Sequence, residues 1–197
     1  MFEPLTRDYR GYIFDCDGTL ADSMVIHYRA WRAALRSHGA SFEFDWELFT
    51  SRAGMSLPKT VEALNLQFGL AMDPLAVTHS QRAEYERFLE TVRPIVPVVE
   101  LAQRVAKTAA VSVASGGERS VVLRTLELIG LGDTFPVVVT PEDVQHGKPA
   151  PDMFLLAAER MGVLPADCVV FEDSALGLEA AERAGMSAVL VRSPVVG

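Results

Sequence analysis

Acidic residues follow two apolar runs of the sequence at the point where each run ends. Asp15 and Asp17 lie in the motif Asp-Cys-Asp-Gly-Thr, and Glu172 and Asp173 follow a later run. Four carboxylates brought together without a cation would repel one another, because each disfavours the charged form of its neighbours. Oxygen ligands are those that Mg²⁺ prefers, and protein-bound Mg²⁺ commonly contacts phosphate as well. The acids therefore predict a magnesium site, provided that the fold brings them together.

A serine and a lysine elsewhere in the chain have the chemistry to contact a phosphate group. Ser115 precedes Gly116 and Gly117, whose backbone N–H groups could cradle phosphoryl oxygens at the start of a helix. Lys148 lies in a Gly-Lys-Pro loop, and an ammonium held rigidly beside acids suits the neutralisation of a phosphoryl group. Taken singly, each motif has an ordinary alternative. Asp-x-Asp-Gly and Ser-Gly-Gly also form turns, and a loop lysine is often solvated.

Five β-rich apolar runs alternate with helical stretches, which is the pattern of an α/β protein. The predicted strands are residues 11–14, 109–114, 137–139, 168–171 and 187–191, and the later helices are 118–129, 152–161 and 175–184. Runs that are apolar throughout suit strands buried on both faces, so we expect a Rossmann-like parallel sheet with helices on both faces. The carboxyl ends of such strands line one crevice, where residues far apart in sequence meet.

The segment between the first two predicted strands is too long for an ordinary crossover connection. It runs from about Leu20 to Pro97, contains no convincing strand, and reads as helices at 22–38, 45–51, 57–68 and 74–91. We interpret it as an inserted helical cap. The predicted division is an α/β core of residues 1–19 and 94–197 and a cap domain of residues 20–93.

The net charge and the distribution of apolar residues exclude several classes of binding partner. The chain of 197 residues has a formal net charge of −8, which makes it a poor binder of nucleic acid and of anionic membranes. No stretch approaches the ~18 apolar residues of a membrane-spanning helix, and the charged N-terminus does not resemble a signal peptide. Two cysteines do not form a disulfide framework. We expect a cytoplasmic monomer that acts on a small phosphorylated substrate.

The four motifs, in this order and each at the end of a predicted strand or in a loop before a helix, resemble the haloacid dehalogenase-like hydrolase superfamily. The inserted helices resemble its subclass I cap. His27-x-x-x-Trp31 and Gly54-Met55-Ser56 in the cap are similar to the branch that contains β-phosphoglucomutase and bacterial fructose-1-phosphate phosphatases. The resemblance covers the whole chain.

This resemblance implies a role for each motif residue. Asp15 becomes the nucleophile that forms an aspartyl-phosphate, and Asp17 the general acid and then the general base, which requires a raised proton affinity. Ser115 and Lys148 complete the catalytic set by fixing the phosphoryl oxygens. Mg²⁺ is held by Asp15, by Asp17 through its backbone carbonyl, and by Asp173, with Glu172 in or near the same shell. The implied substrate-binding residues are Thr19, which also supports the nucleophile loop, His27, Trp31, Gly54 and Gly116.

The sequence departs from a mutase where a second phosphate would have to be held. In the mutases that this branch contains, a basic residue follows the Gly-x-Ser motif of the cap, and here that position is Leu57. Glu118 would repel a second phosphate, and the charge of Arg119 would partly offset this repulsion. The expected activity is therefore phosphatase action on a small phosphorylated metabolite, such as fructose 1-phosphate. The alternatives are β-phosphoglucomutase and, outside enzymes, a receiver-like or inactive binding domain. Trp31 could equally be a packing residue of the cap and not a substrate contact. For Arg52 and Lys59, which flank Gly54-Met55-Ser56, a solvent-exposed position is favoured over contact with the substrate.

Overall fold

The computed structural model describes Leu5 and residues 7–192. Predictions that fall on residues 1–4, 6 and 193–197, namely the N-terminal sequence and the two ends of the proposed core, lie outside the described residues.

A parallel five-stranded sheet forms the centre of the molecule. The strands of the described residues are β1 (Gly11–Phe14), β2 (Ala21–Asp22), β3 (Arg93–Pro94), β4 (Ala110–Ala114), β5 (Val137–Val139), β6 (Cys168–Glu172) and β7 (Ser187–Leu190). The sheet has the order β5-β4-β1-β6-β7, and every neighbouring pair is parallel. The predicted α/β fold is confirmed, and the five predicted strands are those of the sheet, displaced by no more than one residue at either end.

A two-stranded antiparallel ribbon carries the chain between the sheet and the inserted helices. Ala21 of β2 pairs with Pro94 of β3, and Asp22 pairs with Arg93. The backbone N–H of Ile95 extends the ribbon by donating to the carbonyl of Leu20, 2.8 Å away. The expectation of no strand between Leu20 and Pro97 was therefore wrong. Strands of two residues are too short to produce an alternating pattern that could be read from the sequence.

Eight helices account for most of the remaining described residues. They are α1 (Met24–Ser37), α2 (Trp46–Thr50), α3 (Leu57–Phe68), α4 (Pro74–Glu86), α5 (Val96–Val105), α6 (Arg119–Leu128), α7 (Asp152–Met161) and α8 (Ala175–Arg183). The predicted helix 74–91 ends at Glu86, and a separate 3-10 turn covers Leu89–Thr91. Helix α5 was not predicted, because its first turn is rich in valine and proline, which favour extended structure over helix.

The central strand β1 is buried on both faces. Ile13 points to the face covered by α7 and α8, where it packs among small and apolar side chains such as Ala157 and Ala180. Tyr12 and Phe14 point to the opposite face, which α5 and α6 cover. The Phe14 ring stacks on that of Phe171 of β6, with centroids 4.9 Å apart. This two-sided burial explains the uninterrupted apolar runs in the sequence.

The inserted helices have an apolar cluster of their own. It contains side chains from α1, α2, α3 and α4 together with Phe44 and Met72 from connecting segments: Trp31, Ala34, Leu35, Phe44, Phe49, Val61, Leu64, Met72 and Val77. Tyr85 and Leu89, at the end of this segment, instead join the apolar cluster under the sheet. Within the described residues, none of the helices has both the length and the apolar character needed to cross a bilayer.

The strand order places the functional motifs at one edge of the sheet. From β1 the chain continues to β4 and β5 on one side and later to β6 and β7 on the other, so its direction across the sheet reverses at β1. Ligands of open α/β sheets bind beyond the carboxyl ends of the strands at such a reversal. Asp15, Ser115 and Asp173 follow the ends of β1, β4 and β6, respectively.

Replacement of Phe14 tests how far the fold depends on the packing of β1. Phe14 is completely buried, so Phe14→Ala should lower the free energy of unfolding by about 3–5 kcal/mol through lost burial and a residual cavity. Urea denaturation measures this change. Leu123→Ala is the control, because Leu123 is 41% exposed and its loss should cost less than ~0.5 kcal/mol. A similar cost for both variants would contradict the described packing.

Candidate active site

A buried lysine joins the ends of β1 and β6. The Lys148 ammonium donates to Asp15 Oδ1 at 2.7 Å and to Glu172 Oε1 at 2.5 Å. All three residues are buried, so the ammonium and the two carboxylates interact in a region of low dielectric constant, where their attraction is strong. Burial alone lowers the pKa of Lys148, but the charges of Asp15 and Glu172 outweigh burial and raise it. Lys148 therefore stays protonated, with its charge directed at the end of β1.

Glu172 is fixed from two directions. While Oε1 accepts from Lys148, Oε2 accepts from the backbone N–H and the hydroxyl of Ser174, at 2.7 and 2.8 Å. Gly177 of α8 leaves room for this carboxylate, since a Cβ at Gly177 would lie 2.0 Å from Glu172 Cδ. Sequence reasoning did not single out Ser174 or Gly177. A serine directly before a predicted helix was the available signal, because serine is a frequent N-cap residue.

Three carboxylates converge where a cation could bind. Oxygens of Asp15, Glu172 and Asp173 all lie within 4.8 Å of one another. Burial, opposed by Lys148 and reinforced by Glu172, raises the pKa of Asp15 to about 7. Burial, followed by the charges of Glu172 and Asp15, also raises the pKa of Asp173. One ammonium does not balance these acids, and an all-oxygen donor set suits Mg²⁺, so the residues present fit that ion.

The backbone of the loop after β1 makes room for this cluster. Gly18 has φ +81°, in the left-handed region, and a Cβ there would lie 2.1 Å from Asp173 Oδ2. Both the turn and the close approach of Asp173 therefore require glycine at this position. The Asp17 carboxylate is not part of the cluster. If Asp17 binds the metal ion, it does so through its backbone carbonyl, as the resemblance implies, and not through its side chain.

The Asp17 carboxylate turns towards the inserted helices instead. Its Oδ1 accepts from the Ser23 hydroxyl at 2.5 Å and lies 3.1 Å from His27 Nε2, without the alignment of a good hydrogen bond. Its Oδ2 faces the loop after β4, 3.6 Å from the position that a Cβ on Gly117 would occupy. Burial raises the pKa of Asp17, but His27 and Ser23 outweigh burial and hold it below the usual value. The expected rise in proton affinity is therefore not found in this arrangement.

His27 of α1 lies between Asp17 and helix α4. Its ring stacks on that of Tyr85, with centroids 3.9 Å apart, and its Nδ1 lies 3.2 Å from Gln81 Nε2. Gln81 and Tyr85 both belong to α4 and are buried. His27 therefore borders the cavity while being held by α4 on one side and by Asp17 on the other. The sequence analysis found His27 but not Gln81 or Tyr85, since nothing in α4 distinguishes them from packing residues.

The loop after β4 and a loop of the inserted helices are in direct contact. The Ser115 hydroxyl accepts from the Gly117 N–H at 3.1 Å, which fixes the turn that opens towards α6. A Cβ on Gly116 would lie 3.1 Å from the Gly54 carbonyl oxygen. Gly54 has φ +89°, and a Cβ there would lie 2.9 Å from Ser174 Oγ and 3.5 Å from Lys148 Cδ. The inserted segment thus lies closed over the ends of the strands.

A cavity remains between the two parts. Its floor contains Asp15, Asp17, Ser115, Gly116, Gly117 and Asp173, and its walls contain Met24, His27, Trp31, Phe44, Phe49, Arg52, Ala53, Gly54, Met55, Leu57 and Thr60. Trp31 is 4% exposed and belongs to the apolar cluster of the inserted helices, so packing accounts for most of its surface. Arg52 is the only arginine or lysine among the described residues that line this cavity, so its expected exposure to solvent alone was wrong.

Three residues lie elsewhere than expected. Thr19 is completely buried and does not line the cavity. Glu118 pairs with Arg82 at 2.5 Å and does not line this cavity, but it lines an adjoining one together with Leu57 and Gly116. Arg119 does not offset Glu118, because its guanidinium binds Asp143 and the Val138 carbonyl.

Comparisons with known proteins agree with the geometry. Residues 9–185 match the family model described as haloacid dehalogenase-like hydrolase. The chain is 37% identical to fructose-1-phosphate phosphatase YqaB of Escherichia coli (strain K12), over 93% of this chain and 97% of the relative. It is 30% identical to β-phosphoglucomutase of Bacillus subtilis (strain 168), over 91% and 82%, respectively. A solved hydrolase from Pseudomonas syringae superposes with a TM-score of 0.83 at 27% identity, covering 91% of this chain and 83% of that one.

Binding of Mg²⁺ should stabilise the folded protein, because the converging carboxylates exist only in that state. At ten times its dissociation constant, the ion should add about 1.4 kcal/mol and raise the Tm by roughly 3–5 °C. Differential scanning fluorimetry measures the shift, which Asp173→Asn should abolish. Asp152→Asn, which removes an acid beside exposed His146, should retain it. An equal shift in both variants would show that the ion binds elsewhere.

Proposed function

Since the chain belongs to the haloacid dehalogenase-like hydrolase family and is a phosphatase, we propose that it hydrolyses a small sugar phosphate such as fructose 1-phosphate with the aid of Mg²⁺. The observation that carries this proposal is the contact of Lys148 with Asp15 inside an acidic cluster that fits Mg²⁺. A nucleophilic carboxylate and the positive charge that a phosphate dianion requires thus lie in one place. The named sugar rests on the relative from Escherichia coli.

In the proposed reaction, Asp15 attacks phosphorus and the bond between phosphorus and the sugar oxygen breaks. The leaving alkoxide takes a proton from Asp17, which makes the first half of the reaction general-acid catalysis. In the second half, Asp17 accepts a proton from water, water attacks phosphorus, and the bond to Asp15 breaks to release inorganic phosphate. The carboxylate of Asp15 is regenerated, so the enzyme returns to its initial state.

The positions of the Asp17 oxygens support this assignment. Ser23 and His27 contact Oδ1 and leave Oδ2 facing the Gly117 loop at the floor of the cavity. The lowered pKa of Asp17 in this arrangement corresponds to the carboxylate form, which is the form needed to accept a proton from water. For the first half of the reaction Asp17 must carry a proton, and a weaker contact with His27 would favour that state.

In this proposal the phosphoryl group is bound by Lys148, by Ser115 and by the metal ion, and the two cations offset its negative charge. We assign Lys148 and the Ser115 hydroxyl to the phosphoryl oxygens, because Lys148 contacts Asp15 and because Ser115 lines the cavity floor together with Asp15. In this structure the Lys148 side chain is fully buried against Asp15 and Glu172 and does not line the cavity. Asp15, Asp173 and the Asp17 carbonyl would hold Mg²⁺, with Glu172 close by. When bound, this ion supplies positive charge that offsets the repulsion between the phosphate dianion and the carboxylates.

We assign residues 20–93 to a cap domain that covers the site. The ribbon of β2 and β3 marks both of its connections to the core, and Gly54 brings its loop against Lys148 and Ser174. Contact this close limits the access of bulk water to Asp15, which protects a reactive acyl-phosphate. The aromatic and aliphatic walls of the cavity come from the cap, so the choice of sugar would depend mainly on that domain.

A simple phosphatase fits the cavity better than a mutase does. Leu57 lines the cavity at the position where the mutase has a basic residue, and Glu118 pairs with Arg82 outside it. A mutase needs to hold a second phosphate at a distance from the nucleophile, and neither residue can do so. The match to β-phosphoglucomutase therefore reflects shared ancestry of the fold and of the acidic site.

Measurement of phosphate release tests this function. Wild-type protein with Mg²⁺ should release phosphate from fructose 1-phosphate, EDTA should abolish release, and Asp15→Asn should lower kcat by at least ~10³-fold through loss of the nucleophile. Glucose 1-phosphate should yield glucose and phosphate more rapidly than glucose 6-phosphate. Faster formation of glucose 6-phosphate would establish a mutase, and turnover that survives Asp15→Asn would contradict the proposed nucleophile.

Substitution of Gly54 tests whether closure of the cap is needed. Gly54→Ala should lower kcat/KM by about tenfold or more, because its Cβ would meet Ser174 and hold the cap loop away from Lys148. Gly39→Ala is a matched control: Gly39 also has a positive φ, of 80°, but no atom lies within 4 Å of its Cβ position. Both variants carry backbone strain of roughly 1–2 kcal/mol, so only closure distinguishes them. Equal activity would contradict a requirement for closure.

A further inference from the structure

Asp143 lies in the connection between β5 and the loop that carries Lys148. It is the last residue of a 3-10 turn, Pro141–Asp143, and its side chain is 14% exposed. The carboxylate accepts from the backbone N–H of Thr140 at 2.9 Å, which closes the turn. Two arginines from different helices bind the same carboxylate. The proposed reaction assigns no role to any of these groups.

Arg119 connects Asp143 to the loop that contains Ser115. Arg119 is the first residue of α6, four positions after Ser115, and its guanidinium contacts Asp143 Oδ2 and the Val138 carbonyl, 3.2 Å away. Its backbone N–H also donates to Glu142 Oε1 at 2.9 Å. Side-chain and backbone contacts thus fix the end of the Ser115 loop to the turn at Asp143.

Arg160 connects Asp143 to helix α7, which follows the Lys148 loop. Arg160 lies in the last turn of α7, which follows that loop, and its Nη2 donates to Asp143 Oδ1 at 3.0 Å. The segment between Asp143 and Arg160 is therefore residues 144–159, which comprise the Lys148 loop and most of α7. Arg183 of α8 adds a weaker contact, because its Nη1 lies 3.2 Å from the Pro149 carbonyl oxygen.

We propose that Asp143 is a positioning residue that holds the Ser115 loop and the Lys148 loop in register, so that both groups meet the same phosphoryl group. The inference rests on the proposed function, since it takes Ser115 and Lys148 as the phosphate contacts. Asp143 itself does not line the cavity, and we assign it no contact with the substrate. Its effect passes through Arg119 to one loop and through Arg160 to the other.

Charge and burial explain why this carboxylate is suited to the task. Hydrogen bonds between charged groups are stronger than neutral ones, and planar guanidinium groups fix the direction of approach. The carboxylate is mostly shielded from water and faces two cations, so both arginines would lose their shared partner if it were removed. A displacement of about 1 Å between two phosphate contacts is enough to weaken catalysis substantially.

The inhibition constant of inorganic phosphate, measured against hydrolysis of p-nitrophenyl phosphate, tests this proposal. Asp143→Ala should raise that constant by about tenfold or more, because Ser115 and Lys148 no longer bind one anion together. Asp143→Asn, which keeps an acceptor oxygen but loses the charge, should raise it by about threefold. A role in stability alone would reduce the amount of active protein and leave the inhibition constant unchanged.

A double-mutant cycle identifies the route of the effect. Arg160→Met should weaken phosphate inhibition in the wild type and add little in Asp143→Ala, because both changes break the same contact. Glu90→Ala is the matched control, since it removes the ion pair with Arg124 on the same helix as Arg119 but away from either loop. Its inhibition constant should equal that of the wild type.

The outcomes separate this inference from the proposed function. Inhibition constants within twofold of the wild type for Asp143→Ala, Asp143→Asn and Arg160→Met would overturn the positioning role. Should Asp143→Ala fail to fold, Asp143→Asn and Arg160→Met decide the question by the same measurement. Wild-type protein that hydrolyses no phosphate ester would refute the proposed function itself, and with it the basis of this inference.

Discussion

The organisation of the site depends on one buried ion pair network, in which a single ammonium lies between two carboxylates. Lys148 contacts Asp15 after β1 and Glu172 at the end of β6, so it links strands whose residues are far apart in sequence. Burial makes the contact strong and also makes any unpaired member costly. The remaining negative charge, on Asp15 and Asp173, is what a divalent cation would compensate, and that cation would also allow a phosphate dianion to approach. The same buried charges of Lys148, Asp15 and Glu172 thus hold the two strand ends together and form the site to which we assign the reaction with phosphate.

Close packing around this network is achieved by residues without side chains. Glycines at 18 and 177 give room to Asp173 and Glu172, and glycines at 54 and 116 let the loop between α2 and α3 approach the loop after β4. A methyl group at any of the four positions would meet a neighbouring atom at 3.1 Å or less. The site is thus shaped as much by close backbone approach as by the charged groups that carry out the chemistry.

The sequence predicted the sheet and the acidic cluster because both have a local signature. Strands buried on both faces form unbroken apolar runs, and a run that ends in acids marks the active edge of a parallel sheet. It did not predict the ribbon of β2 and β3, whose strands are two residues long. Nor did it predict the partners of Asp17, because Ser23 lies between β2 and α1, His27 lies in α1, and both contact Asp17 only once the chain has folded. The lowered pKa of Asp17 follows from those tertiary contacts. The acidic residues near Asp17 in the predicted site had led us to expect a raised pKa instead.

The central claim, that Asp15 is the nucleophile in a site completed by Mg²⁺, is tested most directly by trapping the intermediate. Protein is mixed with substrate, quenched in acid during turnover and digested, and the peptides are examined by mass spectrometry. The account predicts a phosphoryl group on the peptide that contains Asp15, present with Mg²⁺ and absent after chelation. Turnover without phosphoryl transfer to that peptide, or transfer to a residue outside the cluster, would contradict it.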